Sequence, residues 1–495
     1  MPIRQDRMPL QSGLAHLSGG TASTRTPSGY CAVVMRRLLA TTAVMAVALI
    51  VMPHAAQASP DRFDLGFVDP YEFQESDPIG AYATMRDEGA RVVRLPITWR
   101  EVAANQPAHP TDPNDPAYNW ALFDHRIDKI RSHGMQPLLS LYTAPRWAHA
   151  GPRLTANPGA YGDFARAIAT RYSGAAGQRP RIKYFQLWNE PNLYVFLDDT
   201  PARYREMVNA AYKGIKAVHG DNLVVAGGLA PFSDPGNKQG IGPFPYMRSV
   251  LCMSGGAHPH ATCSAKTSFD IWATHPYTSG GPNHSASVPQ DASLGDLPEM
   301  RRLLLAAKRA GHIKSNGNPG FWITEFGWDS KPPDPGGVPL AQHARWTAEA
   351  MYRMWESDVN LLVWFKLRDD PFNGDWGSGF QGGVYFNTTA LYSNEKAKPA
   401  AQVLRFPFVA VPEGGRVSVW GRTPGSHSGK VTIQMQQGSS WRKIATVGAN
   451  GHGLFRLKLN GRRGTTLRAS VGGASSYPFK ATNTKDVGVR PFGGT

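Results

Sequence analysis

The stretch IKYFQLWNEPN, Ile182–Asn192, decides how this chain is read. Its first half is apolar and β-prone, and it then delivers Trp188, Asn189, Glu190 and Pro191 in succession. Proline cannot donate to a β-ladder, so the strand must stop there, with an amide and a carboxyl side by side at the rim of a sheet. A second stretch repeats the design: GFWITEFGW, Gly320–Trp328, runs apolar through Ile323 and then presents Glu325.

Working outward, strand-like runs recur at Phe63–Val68, Arg91–Trp99, Met135–Tyr142, Ile182–Trp188, Asn222–Leu229, Phe269–His275, Gly320–Glu325 and Val359–Leu367. Helical periodicity fills the gaps, at Ile79–Glu88, Trp120–His133, Tyr161–Tyr172, Ala202–His219, Phe244–Met253, Leu297–Ala310 and Leu340–Glu356, with Lys398–Val403 closing the series. Strands alternating with helices imply right-handed crossovers and a parallel sheet. Eight such units over 59–404 predict an α/β fold, a (β/α)8 TIM barrel with generous loops.

In that fold chemistry sits at the carboxyl ends of the strands. Glu190 follows the fourth strand and Glu325 the seventh, so the two face each other across the mouth. One carboxyl can then protonate a leaving oxygen while the other attacks carbon, which is the chemistry of glycosidic-bond cleavage.

LWNEPN and ITEFGW, in this order, resemble the acid/base and nucleophile motifs of clan A glycoside hydrolases. The likeness covers roughly Phe63–Leu404, and VWFKLRDD around Trp364 is most similar to family 39 and related bacterial glycosidases; family 5 cellulase-like enzymes share much of the set. The resemblance implies that Arg94 of RVVRLPITW stands near the nucleophile and that His275 and Tyr277 of ATHPY line the site. It further implies that Trp364 forms a platform under the sugar and that Asn189 holds the sugar 2-hydroxyl. One departure is visible: where some families end the third strand in histidine, SLYTAPRW offers Tyr142, Thr143 and Trp147. Trp99, Trp147 and Trp328 are each readable as sugar-stacking or as core residues.

The implied reaction is double displacement with retention. Glu325 is expected to be ionised, held so by Arg94 and Tyr277, and Glu190 to start protonated. Two other readings fit the same residues: a carbohydrate-binding protein that has lost turnover, and a transglycosylase in which a sugar hydroxyl replaces water.

The first 58 residues read as a targeting segment. Arg36 and Arg37 precede an apolar run, Leu38–Met52, and Ala56-Gln57-Ala58 has the spacing of a cleavage site, so the mature chain is expected to start near Ser59 and to be secreted. That run is short for a membrane span, and no other is longer, so no span is expected after cleavage. Cys31 would leave with the segment, and the remaining Cys252 and Cys263 are expected to pair as a disulfide in an oxidising compartment.

From Arg405 helical periodicity gives way to short alternating runs such as RVSVWGR, KVTIQMQ and GLFRLKL between Gly, Ser and Asn turns. A small all-β sandwich over 405–495 is the natural reading. It holds 14 Lys and Arg against Glu413 and Asp486, while residues 59–404 net zero. Such a basic module is either a solvated spacer or a contact for an anionic cell-surface polymer; nucleic acid is not expected for an exported chain. No nucleotide loop and no zinc or calcium spacing stands out, so neither cofactor nor metal is expected.

Overall fold

Eight parallel strands close into a barrel: β1 (Asp64–Val68), β2 (Val92–Thr98), β3 (Gln136–Tyr142), β4 (Tyr184–Leu187), β5 (Leu223–Leu229), β6 (Ile271–Thr274), β7 (Gly320–Ile323) and β8 (Leu361–Phe365). Around the ring the order is β1-β8-β7-β6-β5-β4-β3-β2, every pair parallel. This computed structural model describes residues 59–70, 80–151, 155–233, 240–376, 379–388 and 394–489. The expected targeting segment lies outside them.

Both faces of each strand are covered, which is why the strands read as near-continuous apolar runs in the sequence. The covering helices are α1 (Ala81–Asp87), α2 (Ala121–Ser132), α3 (Pro158–Arg171), α4 (Pro201–Val218), α5 (Pro243–Leu251), α6 (Leu297–Arg309), α7 (Leu340–Glu356) and α8 (Pro399–Arg405). α3 and α4 each start with proline at the first turn, after an Asn157 or Thr200 side chain that accepts a backbone N–H. Their close packing needs glycine, since a Cβ on Gly214 would lie 2.5 Å from the Gly162 carbonyl oxygen. A single helical turn at Trp99–Val102, directly after β2, has no counterpart in the sequence reading.

Beyond α8 the chain is antiparallel. β9 (Phe408–Glu413), β10 (Arg416–Arg422) and β13 (Leu454–Asn460) form one sheet. β11 (Gly429–Gln437), β12 (Ser440–Ala449), β14 (Thr466–Val471), β15 (Ala474–Ser475) and β16 (Phe479–Lys480) form the other. Together they make the expected sandwich-like pair of sheets.

The sheets do not hang from a linker; they belong with the barrel to one unit, Gln57–Thr495. Trp420 packs against Phe63, Tyr352 and Trp355. Fully buried Arg422 donates to the carbonyls of Phe63 (3.2 Å) and Leu404 (3.0 Å). Cys252 and Cys263 are joined, closing the loop after α5. Among the described residues no helix is long and apolar enough to cross a membrane.

Candidate active site

The site is built where β2, β3, β4, β6 and β7 end. β4 stops in a sharp turn: Trp188 and Glu190 take positive φ values of 72° and 41°, rare for residues with side chains, and the Glu190 N–H donates to the Gly228 carbonyl at 3.0 Å. That turn points the Glu190 carboxyl into the mouth, where 14% of its side chain remains exposed.

Arg94 organises the floor. Its side chain is buried and meets four partners: Nε donates to Gln186 Oε1 (2.9 Å), Nη2 to Asn189 Oδ1 (2.6 Å) and Ser140 Oγ (3.2 Å), and Nη1 to Glu325 Oε1. Glu325 also accepts from the Tyr277 hydroxyl at 3.3 Å. His275, fully buried, places Nδ1 2.9 Å from Glu190 Oε1 and 3.7 Å from Glu325 Oε2, while Nε2 meets Thr324 Oγ1 at 3.0 Å. One donor atom from each of Glu190, His275 and Glu325 lies within 4.8 Å of the others.

The electrostatics separate the two carboxyls. Burial pushes Glu190 up, and the hydrogen bond and charge of His275 only partly offset it. Glu325 meets the same burial, yet the charges of His275 and Arg94 and the hydrogen bonds from Arg94 and Tyr277 carry it below the ordinary carboxylate range. Tyr277 is held well above the usual phenol range by burial and by the Glu325 charge, so it stays a donor. One carboxyl is thus disposed to hold a proton and the other to lose it.

The structure therefore brings together Arg94, Asn189, Glu190, His275, Tyr277 and Glu325. It does not bring Trp364 with them. Cross-strand register pairs Phe365 with Val68, on the side of the sheet that carries Arg94, and pairs Trp364 with Phe67 on the other. Trp364 accordingly points out of the barrel toward His343 of α7, fully buried, with its indole N–H donated to the Gly382 carbonyl at 3.0 Å. Half-buried Phe365 stands instead beside Tyr277, edge to face.

Other residues went unread in the sequence. Ser140 and Gln186 are polar positions inside apolar strands, on the same side as Arg94, and that parity was the available signal. Thr324, which fixes His275, carried none. Of the three stacking candidates, Trp99 lies in the core stacked on Phe164 and Trp328 is buried under Gly280, while Trp147 is partly exposed. Tyr142, at the end of β3, is half-buried; burial and the Glu325 charge hold its hydroxyl above the usual phenol range, and the Arg94 charge opposes them.

Glu190, His275 and Glu325 also form a donor set of metal-binding size. The Arg94 guanidinium on Glu325 already supplies a positive charge there and opposes a second cation. A cavity of about 950 Å³ lies elsewhere, at the amino ends of the strands, beside Asp64, Gln136, Tyr184 and Leu361. Its charged walls are largely paired internally, Arg62 with Asp64 and Lys216 with Asp270, and in this fold chemistry belongs to the other end.

Barrel and site together define a glycoside hydrolase. Residues 74–364, more than half of the chain, match the family described as Cellulase (glycosyl hydrolase family 5), and the chain belongs to that family. Among solved structures, a family 39 glycoside hydrolase from Bacteroides cellulosilyticus WH2 shares the fold, with a TM-score of 0.52 at 14% identity over 81% of this chain and 80% of that one. A monomeric β-xylosidase from Caulobacter crescentus CB15 gives 0.47 at 15% identity over 81% and 95%. An endo-β-1,4-mannanase from Thermotoga petrophila gives 0.41 at 13% over 86% and 99%. No curated protein matches. The expected kinship with clan A enzymes thus holds, with family 5 matching in sequence and family 39 in fold.

Proposed function

We propose that this chain is a secreted retaining β-glycosidase that hydrolyses O-glycosidic bonds of an oligo- or polysaccharide, with Glu190 as acid/base and Glu325 as nucleophile. The observation that carries the reading is the proximity and opposite tuning of two carboxyls, one oxygen of each within 4.8 Å of the other. Retaining enzymes hold their carboxyls about 5 to 5.5 Å apart, whereas inverting ones leave about 6.5 to 9.5 Å for a water.

In the first step Glu325 attacks the anomeric carbon as Glu190 gives its proton to the departing oxygen, so the glycosidic bond breaks while an ester forms. The ester carries no charge. Glu190, left as a carboxylate with no neighbouring anion, takes a proton from water, whose oxygen attacks the anomeric carbon and frees Glu325. Asn189, whose oxygen is occupied by Arg94, is left to donate its amide N–H to a sugar hydroxyl.

The test is sugar release from a panel of β-linked polysaccharides and aryl β-glycosides, with Glu325→Gln beside the parent and the first product anomer followed by NMR. Release lost in the variant, a β-anomer first product and insensitivity to chelator are expected. An α-anomer as first product would overturn the retaining assignment. Amino-terminal sequencing of exported protein checks the start near Ser59.

A further inference from the structure

The outer face of the larger C-terminal sheet follows from its inner one. Val431, Ile433, Leu467, Ala469 and Phe479 are buried, so strand alternation turns Lys430, Thr432, Gln434 and Gln436 of β11 the other way. Register then sets Trp441 opposite Gln436, Lys443 and Arg468 opposite Gln434, and Lys480 opposite Thr466. The Arg468 guanidinium lies over the Trp441 ring, 4.3 Å from its centroid, and Nε donates to Gln434 Oε1 at 2.7 Å.

At one end this face opens into a concavity of about 590 Å³, walled in part by Gln436, Arg463, Thr466 and Lys480. Among the described residues no acidic side chain borders it. The two carboxylates of 405–495 are spent elsewhere: Glu413 pairs with Lys458 on the other sheet (3.0 Å), and Asp486 with His284 of the barrel (2.8 Å). Lys430, Lys443, Arg463 and Lys480 therefore have no carboxylate partner among the described residues.

We infer that this face is a second carbohydrate site, separate from the barrel mouth, and that its ligand is an acidic polysaccharide. Half-exposed Trp441, one ring face of which Arg468 covers, offers the rest of its ring to sugar, Gln436 and Thr466 offer hydroxyl partners, and the unpaired cations take carboxylates along the polymer. Exposed charge contacts are weak singly, so the face retains a chain that engages several at once and not a monosaccharide. A glycan is the polymer favoured here because the face is built into the same unit as a glycoside hydrolase barrel. The site stands whether or not the proposed retaining chemistry does.

The experiment is affinity electrophoresis of the full chain through gels containing polygalacturonate, neutral xylan or duplex DNA, at low and high salt. Polygalacturonate should retard the protein, less so at high salt, and neutral xylan should retard it little. The double variant Arg463→Ala/Lys480→Ala should bind polygalacturonate about tenfold more weakly. Trp441→Ala should weaken the retardation that survives high salt. Both variants should cleave any aryl glycoside that the parent cleaves at the parent's rate, so a failure here is distinct from a failure of the catalytic assignment. Retardation unchanged in the double variant, or as strong in DNA as in polygalacturonate at equal salt, would overturn the site.

Discussion

Arg94 Nη2 donates to Asn189 Oδ1 at 2.6 Å, and this bond decides which end of the amide meets the substrate. With its oxygen turned to Arg94, Asn189 presents its amide N–H groups, which are donors, to a sugar. Asn189→Ala should lower kcat/KM by about 10²- to 10³-fold, the usual cost of a preorganised donor, with the Tm little changed. Asn189→Asp should be no better, because it keeps the contact to Arg94 and offers no N–H. Steady-state kinetics on an aryl glycoside decides; activity restored by aspartate would deny the donor role.

The opposite tuning of the two glutamates predicts a bell-shaped pH profile. As the proposed nucleophile, Glu325 works ionised and is held low, so activity should be lost as pH falls through its value. As the proposed acid, Glu190 works protonated and is held high, so activity should be lost as pH rises through its value. In Glu190→Ala the alkaline limb should vanish for substrates with activated leaving groups, while poor leaving groups lose about 10²- to 10⁴-fold. An alkaline limb retained in that variant would assign it to another group.

Strand parity makes Trp364 and Phe365 separable. Trp364→Ala removes a fully buried indole and should cost about 3 to 5 kcal/mol of stability, with the folded fraction keeping its KM. Phe365→Ala, on the mouth side, should cost less in urea stability and raise KM. Reversed outcomes would mean that Trp364 reaches the sugar after all.

Much of this was legible in the sequence because it is local. The barrel strands begin and end within two residues of the apolar runs that announce them, and both glutamates sit at strand ends marked by the change from apolar to polar. The resemblance points to Trp364, whereas counting in twos along the strand puts Phe365 on the side of Arg94. The motifs themselves are shared between families 5 and 39, so they define the clan better than the family. Contacts of the C-terminal sheets with the barrel, Arg422 to Phe63 and Arg345 to Lys480, join residues far apart in the chain and leave no periodic trace.

His343 of α7 predicts a stability change with pH. It is fully buried against Trp364 and meets the Trp328 carbonyl at 3.1 Å. Burial, with the Lys398 charge, pushes it down to about 3. The unfolded chain titrates near the ordinary value of about 6.5 and so binds the proton first as pH falls. Stability from this group is therefore intact above about 6.5 and is lost progressively down to about 3, a change of about 4 to 5 kcal/mol. Urea unfolding across that range should show the slope, reduced in His343→Gln; an equal slope in the variant would place the proton uptake elsewhere.

The C-terminal tail should tune the catalytic site through the loop after β6. Arg345 of α7 anchors the tail by donating to the carbonyls of Lys480 (2.8 Å) and Thr482 (2.7 Å). Further on, Asp486 accepts from the Gly281 N–H at 3.0 Å and meets His284 at 2.8 Å, and the Val489 N–H reaches the Ser279 carbonyl at 2.8 Å. Ser279 lies two residues past Tyr277, whose hydroxyl holds Glu325. Glycine at 280 permits the approach, since a Cβ there would stand 2.6 Å from Asp486 Oδ1. Asp486→Ala should free the loop and lower kcat by about tenfold through misplacement of the Tyr277 hydroxyl, with a small change in Tm. Hydrogen exchange over 278–284 should rise in parallel. Faster exchange with unchanged kcat would show that the tail covers the loop without positioning the site.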